Sequence, residues 1–139
     1  MKFPITLCLI ALSTWAVPIA ASAEHREAAA TSAAVAWLAL VDAGNYAESW
    51  NAAASRFRQR ITQDAWQSTA ARVRGPLGAL KSRELQSATF KQSLPGIPDG
   101  EYVVIRFAAS FVNKAAAIET VTPMKDADGA WRVAGYYIK

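Results

Sequence analysis

The chain has 139 residues, 53% of them hydrophobic and 19% charged, with a net charge of +4, one cysteine and one histidine. That length suits one domain with a core of its own, and a mild positive charge without a long basic run does not suit a nucleic-acid binder. A single cysteine excludes a disulfide framework, and a single histidine beside it leaves no set of ligands for a cysteine- or histidine-based metal site.

The N-terminus reads as a targeting segment. Lys2 precedes an apolar run from Ile5 to about Ala20, followed by Ala21-Ser22-Ala23 and the polar Glu24-His25-Arg26. Charge, apolar run and small-x-small site in that order are the pattern of a secretory signal peptide. The run is interrupted by Ser13, Thr14 and Pro18, and is too short for a comfortable membrane span of ~20 residues. An uncleaved N-terminal anchor is the alternative. Cleavage after Ala23 leaves residues 24–139 as a single domain, with fourteen basic against eleven acidic residues. Cys8 leaves with the leader, and too few residues precede it for a lipoprotein signal. The expected location is the periplasm, with secretion as the alternative.

Residues 26–43 are alanine-rich, with Val35, Trp37, Leu38, Leu40 and Val41 forming a broad apolar face. They predict a long helix that ends at Gly44. Asn45 with Glu48 three residues on resembles a capping box. A second helix then carries Tyr46, Trp50, Ala53 and Phe57 at helical spacing. Thr62 caps a third helix, in which Trp66, Ala70, Val73 and Leu77 form the apolar stripe, and Gly75-Pro76 and Gly78 end it.

Beyond Gly78 the period changes to two. Residues 81–93 predict a polar first strand, and "LPGIPDGE" a turn. In 101–112, Val103, Ile105, Phe107, Ala109 and Phe111 share one face, while Tyr102, Val104, Arg106, Ala108 and Ser110 share the other. Asn113-Lys114 predicts a hairpin turn, 115–124 a third strand and 130–138 a fourth. Pro123, lacking an N–H, is expected at a strand end or edge. Helices followed by strands mean α+β: three N-terminal helices on one face of a curved four-stranded antiparallel sheet.

The stretches "WLALVDAGNYAESW", "RGPLGALKSREL", "LPGIPDGEYVVIRF", "FVNKAAAIETVT" and "DGAWRVAGYYIK" resemble the bacterial domain-of-unknown-function family 4019 across residues 33–139. That family is similar to the nuclear transport factor 2-like (cystatin-like) cone superfamily. The resemblance implies the fold and export, but no activity and no catalytic residues. It also implies that dimers through the outer sheet face are common among such folds.

Chemistry is sparse. His25, the only histidine, adjoins the predicted new N-terminus, so Ser-His-Asp and Cys-His catalysis lack their base. Carboxylate chemistry needs a buried acid, and the candidates are Asp42, Glu48, Asp64, Glu101 and Glu119. Each has an ordinary role as a helix end, a cap or a strand position, and Glu119 is expected to face solvent while Ile118 faces the core. "DADG" at 126–129 lacks the ligands of a calcium loop and reads as a turn. No catalytic residue, metal or cofactor is assigned.

Two surfaces are candidates for binding. Arg72, Arg74, Lys81 and Arg83 fall within twelve residues around a Gly-Pro turn and predict a patch for an anion or an acidic partner. On the last strand, alternation sets Trp131, Val133, Gly135 and Tyr137 against the helices, and Arg132, Ala134, Tyr136 and Ile138 outward. Arg132, Tyr136 and Ile138, extended by Tyr102 and Arg106, are then expected to form a contact face. The reading is an exported, non-enzymatic interaction module with a protein partner (an inhibitor or immunity-type role) or a second copy of itself. It has no nucleic-acid partner and no membrane span after leader removal. The alternatives are a small molecule in the cone interior, with Tyr102, Arg106 or Tyr137 as polar handles, and a carboxylate-based isomerase or hydrolase.

Overall fold

The computed structural model describes Trp15 and residues 19–139. The predicted leader lies mostly outside the described residues. The order is α1 (Ile19–Asp42), α2 (Tyr46–Asn51), α3 (Ser55–Arg60), α4 (Gln63–Arg74), a single 3-10 turn (Gly75–Leu77), then β1 (Leu80–Lys91), β2 (Tyr102–Phe111), β3 (Lys114–Lys125) and β4 (Trp131–Ile138). The four strands form one antiparallel sheet in sequential order. The architecture is the expected α+β one.

In α1 the buried stripe is Ala30, Ala34, Trp37, Leu38 and Val41, positions that share one face at 3.6 residues per turn. Two alanines in that stripe let the helix axis lie close to the sheet, and Trp37 fills the space they leave further on. Gly44 stops the helix at φ +76°. The Gly44 N–H donates to Val41 O and the Asn45 N–H to Leu40 O, a Schellman end that a residue with a Cβ would strain.

The expected second helix is two helices. Ala54 turns to an extended conformation, and its N–H donates to Val133 O of β4 at 2.8 Å. Asp126, in the β3–β4 turn, accepts from both the Ser55 N–H (3.1 Å) and the Ser55 hydroxyl (2.6 Å). The break is therefore imposed from across the molecule. It lets Phe57 reach the core, whereas one continuous helix over 46–60 would fix its direction relative to Trp50. Asn45 makes no side-chain cap, in contrast to the expected capping box. Thr62 does cap α4, accepting from the Ala65 N–H.

The helical layer is tied together around Ser49, which is wholly buried. Its hydroxyl donates to Tyr46 O and accepts from Trp66 Nε1, while its carbonyl accepts from Trp37 Nε1. The Trp50 N–H donates to Ile61 O. Trp37 and Trp66 thus bury their rings, and Trp50 its inner part, without orphaning a donor. Phe57 meets Trp66 edge-on at 5.0 Å, and Trp37 packs at 5.7 Å from Trp66 and 5.4 Å from Tyr136. These rings fill the space between the helices and the sheet.

On β2 the expected inner face holds: Val103, Ile105, Phe107, Ala109 and Phe111 are all buried. On β3 and β4 the predicted phase is reversed over the decisive residues. Phe111 pairs with Lys114, but Ala109 pairs with Ala117, so β3 carries one extra residue in the run Ala115-Ala116-Ala117. From there Glu119 faces the core opposite Phe107, and Ile118 faces outward. On β4, Val133 pairs with Pro123 but Gly135 pairs with Thr122, so Ala134 is the extra residue. Trp131 and Val133 face the helices as expected. Tyr136 and Ile138 then turn inward and Tyr137 outward, 54% exposed. Each bulge reverses every later side chain. Pro123 lies in an inner strand rather than at an edge, at the second bulge, where a missing N–H is tolerated. The two-residue hairpin turn is Val112-Asn113, one residue earlier than expected.

Ser49→Ala orphans the buried Trp66 N–H, and a cost of about 1–3 kcal/mol in unfolding free energy is expected from urea denaturation. Exposed Ser68→Ala is the control, expected within ~0.5 kcal/mol of the parent.

Candidate functional site

The last residue of α1, the last residue of α4 and three strands send charged or phenolic groups to one place. Glu119 of β3 is fully buried. Its Oε1 accepts from Arg83 Nε of β1 at 2.7 Å, and its Oε2 accepts from the Tyr136 phenol of β4 at 2.6 Å. Arg83 also forks onto Asp42, with Nη1 and Nη2 at 2.7 and 2.9 Å from the two carboxylate oxygens. Asp42 Oδ1 further accepts from Arg74 Nη2 at 2.7 Å. Arg74 Nη1 stands 4.0 Å from Glu119 Oε2, and its guanidinium lies over the Phe111 ring at 4.8 Å. Two arginines thus face two carboxylates. The arrangement suits Arg rather than Lys, because the planar guanidinium can fork onto Asp42 with its two Nη groups while its Nε serves Glu119.

Burial alone would raise the Asp42 carboxyl, but hydrogen bonds and charge from Arg83 and Arg74 outweigh it and hold the group below the usual carboxylate range. For Arg83 and Arg74, burial pulls downward, but hydrogen bonds with Asp42 and the neighbouring carboxylate charges outweigh it and raise both. Tyr136 is pushed far above the ordinary phenol value by burial and by the Glu119 charge. It stays a neutral donor. Both acids are occupied by donors: Asp42 by Arg74 and Arg83, and Glu119 by Arg83 and Tyr136.

Beside the network lies a partly open cleft of about 170 Å³ between α4 and the end of β4. Trp66, Thr69, Ala70 and Val73 come from one face of α4, at the spacing the helix demands. Tyr136, Tyr137 and Ile138 supply the other wall, and Arg74 contributes from the network. Most of the lining is apolar, and Val73 and Tyr137 at its rim are 40% and 54% exposed.

The residues singled out from sequence do not form the surfaces expected of them. Arg74 and Arg83 point into the network, whereas Arg72 and Lys81 are exposed. Tyr136 and Ile138 belong to the inner face and the cleft, not to an outer contact face, because of the bulge at Ala134. Tyr102 keeps its outward strand position but is buried under the β1–β2 loop, its phenol donating to Pro98 O at 2.7 Å. Arg106 is exposed on the outer face, and Arg132 is forked onto Asp128 at 2.8 Å. Among the candidate acids, Glu48 and Asp64 are exposed, and Glu101 pairs loosely with Arg26 and Lys125. Sequence reasoning weighed Asp42 and Glu119 separately and missed that they converge. The signal available was the coincidence of two acids with the Arg74 and Arg83 pair, which pairwise charge matching could have found.

The family model described as "Protein of unknown function (DUF4019)" matches residues 33–136, most of the chain and all five residues of the network. The chain belongs to the DUF4019 family. No curated protein and no solved structure matches it. In this DUF4019 chain no group of three or more acidic, histidine or cysteine side chains is placed to hold a metal ion, among the described residues. Likewise, no described helix is long and apolar enough to cross a membrane.

Arg83→Met strands the buried Glu119 charge and is expected to cost about 3–5 kcal/mol by chemical denaturation, against ~0.5 kcal/mol or less for exposed Arg72→Met. Asp42 carries a pH signature. A carboxyl lowered on folding stabilises above its unfolded value, ~3.9, and that contribution is lost as pH falls through the folded value. The stability gap between the parent and Asp42→Asn is therefore expected to be full at neutral pH and to close progressively below about pH 4. Unfolding curves across that range check it.

Proposed function

We propose that this chain is an exported, non-catalytic binding module that grips one apolar side chain of a partner protein in the cleft between α4 and β4. The observation that carries the reading is the cleft's size and rim. A cavity of ~150 Å³ accommodates a single benzene ring, and this cleft has about 170 Å³ beside exposed Val73 and Tyr137. An aromatic or branched anchor entering an apolar pocket, ringed by further contacts, is how protein interfaces concentrate their affinity. Exposed Arg72 and Lys139, the latter 6.0 Å from the Tyr137 ring, bias the surroundings toward a partner with acidic residues flanking its anchor.

The arginine pairing supports binding over acid–base catalysis, since Asp42 and Glu119 are each held by a guanidinium and neither stands free in the cleft. Export rests on the leader pattern. Among the described residues, the contacts of α1 with the sheet half include two just past Ala23: Arg26 pairs with Glu101, and Glu27 accepts from the Phe90 N–H.

The test has two arms. In a titration followed by NMR, p-cresol is expected to bind in the cleft at about millimolar Kd, and Thr69→Trp, which fills it, is expected to abolish that binding. In the exporting cell, a photoreactive side chain at Val73 is expected to crosslink to one protein, with Tyr137→Ser reducing the yield. No p-cresol binding sinks the cleft reading. Binding without any crosslinked protein replaces the partner with a free small molecule.

A further inference from the structure

A second cleft, of about 240 Å³, lies against the outward positions Thr122 and Gly135 of the sheet. It is independent of the one between α4 and β4. One of its walls is cationic: Arg56 and Arg60 stand four residues apart on α3, on one face of the helix. Opposite them the β1–β2 loop contributes Leu94, Pro95 and Ile97.

The arginines of the described residues fall into two groups. Arg26, Arg74, Arg83 and Arg132 each face a carboxylate within 4.0 Å. Among the described residues, Arg56, Arg58, Arg60, Arg72 and Arg106 are in no such pair, and of these Arg56 and Arg60 line the cleft. Arg56 Nε is moreover enclosed without a hydrogen-bond partner. Like charges at i and i+4 disfavour the helix that carries them, and an enclosed donor without an acceptor adds a desolvation cost. One anion held between the two guanidinium groups relieves both.

The apolar side is preformed. The loop is pinned by the Tyr102 phenol on Pro98 O at 2.7 Å and by the Gly100 N–H on Gln92 O at 2.9 Å. Gly96 takes its turn at φ +77°. Leu94, Pro95 and Ile97 are therefore held facing the arginines rather than gathered by a ligand, which spares ordering entropy on binding.

We infer that this cleft binds a carboxylate on a compact apolar body, with Arg56 and Arg60 holding the carboxylate and Leu94, Pro95 and Ile97 receiving the body. The volume, larger than the ~150 Å³ that holds benzene alone, suits one ring or a short branched chain plus the carboxylate. A free organic acid and the C-terminal residue of a peptide both present that chemistry.

The test is titration of the full chain with phenylacetate, phenylacetamide, inorganic phosphate and an acetylated tetrapeptide ending in phenylalanine. Binding is read by calorimetry and by the Arg56 Nε–H resonance. Phenylacetate is expected to bind, to shift that resonance, and to weaken as salt rises. The amide is expected to bind at least ten-fold more weakly. Arg60→Gln, at an exposed position, and Arg56→Gln are each expected to weaken phenylacetate at least ten-fold with an unchanged melting temperature. Arg60→Gln decides the matter if Arg56→Gln melts lower. A peptide that binds more tightly than phenylacetate identifies a chain terminus as the source, and one that fails to bind identifies a free acid. Equal binding of amide and acid, equal binding of phosphate and phenylacetate, or full binding by Arg60→Gln overturns the inference.

Discussion

The contact on which the rest of this molecule depends is the fork of Arg83 between Glu119 and Asp42. It joins an edge strand, an inner strand and the end of the longest helix through one side chain. Arg74 brings α4 into the same cluster through Asp42, and Tyr136 brings β4 through Glu119. Layers packed only by apolar contact can slide at modest cost, because dispersion is nearly direction-free. A fully buried carboxylate is different, since it tolerates only the geometry in which its partners reach it. The helices are therefore indexed against the sheet by charge, while their adhesion comes from the ring cluster of Trp37, Phe57, Trp66 and Tyr136.

Tyr136 belongs to both systems. Its ring packs on Trp37, its phenol anchors on Glu119, and its flank lines the cleft between α4 and β4. One wall of that cleft is thus held by the network rather than by a loop. The α4 wall is held at its far end by the Trp66 N–H on Ser49. A cleft with both walls fixed in this way presents a set shape, and binding there spends little on ordering the protein. The same pairing engages both acids with arginines, so the rigidity of the cleft and the proposal of non-catalytic binding rest on one set of contacts.

Periodicity in the sequence is enough to read the strands, the first helix and the α4 start, though not the break within 46–60. The alternation over 101–112, the alanine stripe of α1 and the Thr62 cap all announce themselves locally, and the α+β order follows from them. What alternation does not carry is its phase once a strand gains a residue. Ala115, Ala116 and Ala117 have no preference for either face, so nothing local marks the bulge that sends Glu119 inward and Ile118 outward. Ala134 and Gly135 are similarly neutral, and the reversal they hide moves Tyr136 and Ile138 from a supposed contact face into the interior. Both errors occur where small side chains let the backbone absorb an extra residue cheaply. The division of 46–60 into two helices was illegible for a second reason: its determinants, Val133 O and Asp126, lie in the other half of the chain.

That last dependence bears on how the chain comes together in time. A six-residue helix is too short to persist alone in water. The cap of α3, Asp126, stands 71 residues further along than Ser55, which it holds. Whether the chain emerges from a ribosome or threads through a membrane pore, its N-terminal end arrives first, and α3 must wait for almost the whole polypeptide before its first turn is secured. Closing so long a loop is slow relative to local structure. The helical half of this protein, complete in sequence by residue 77, is therefore completed in structure only when the last hairpin closes.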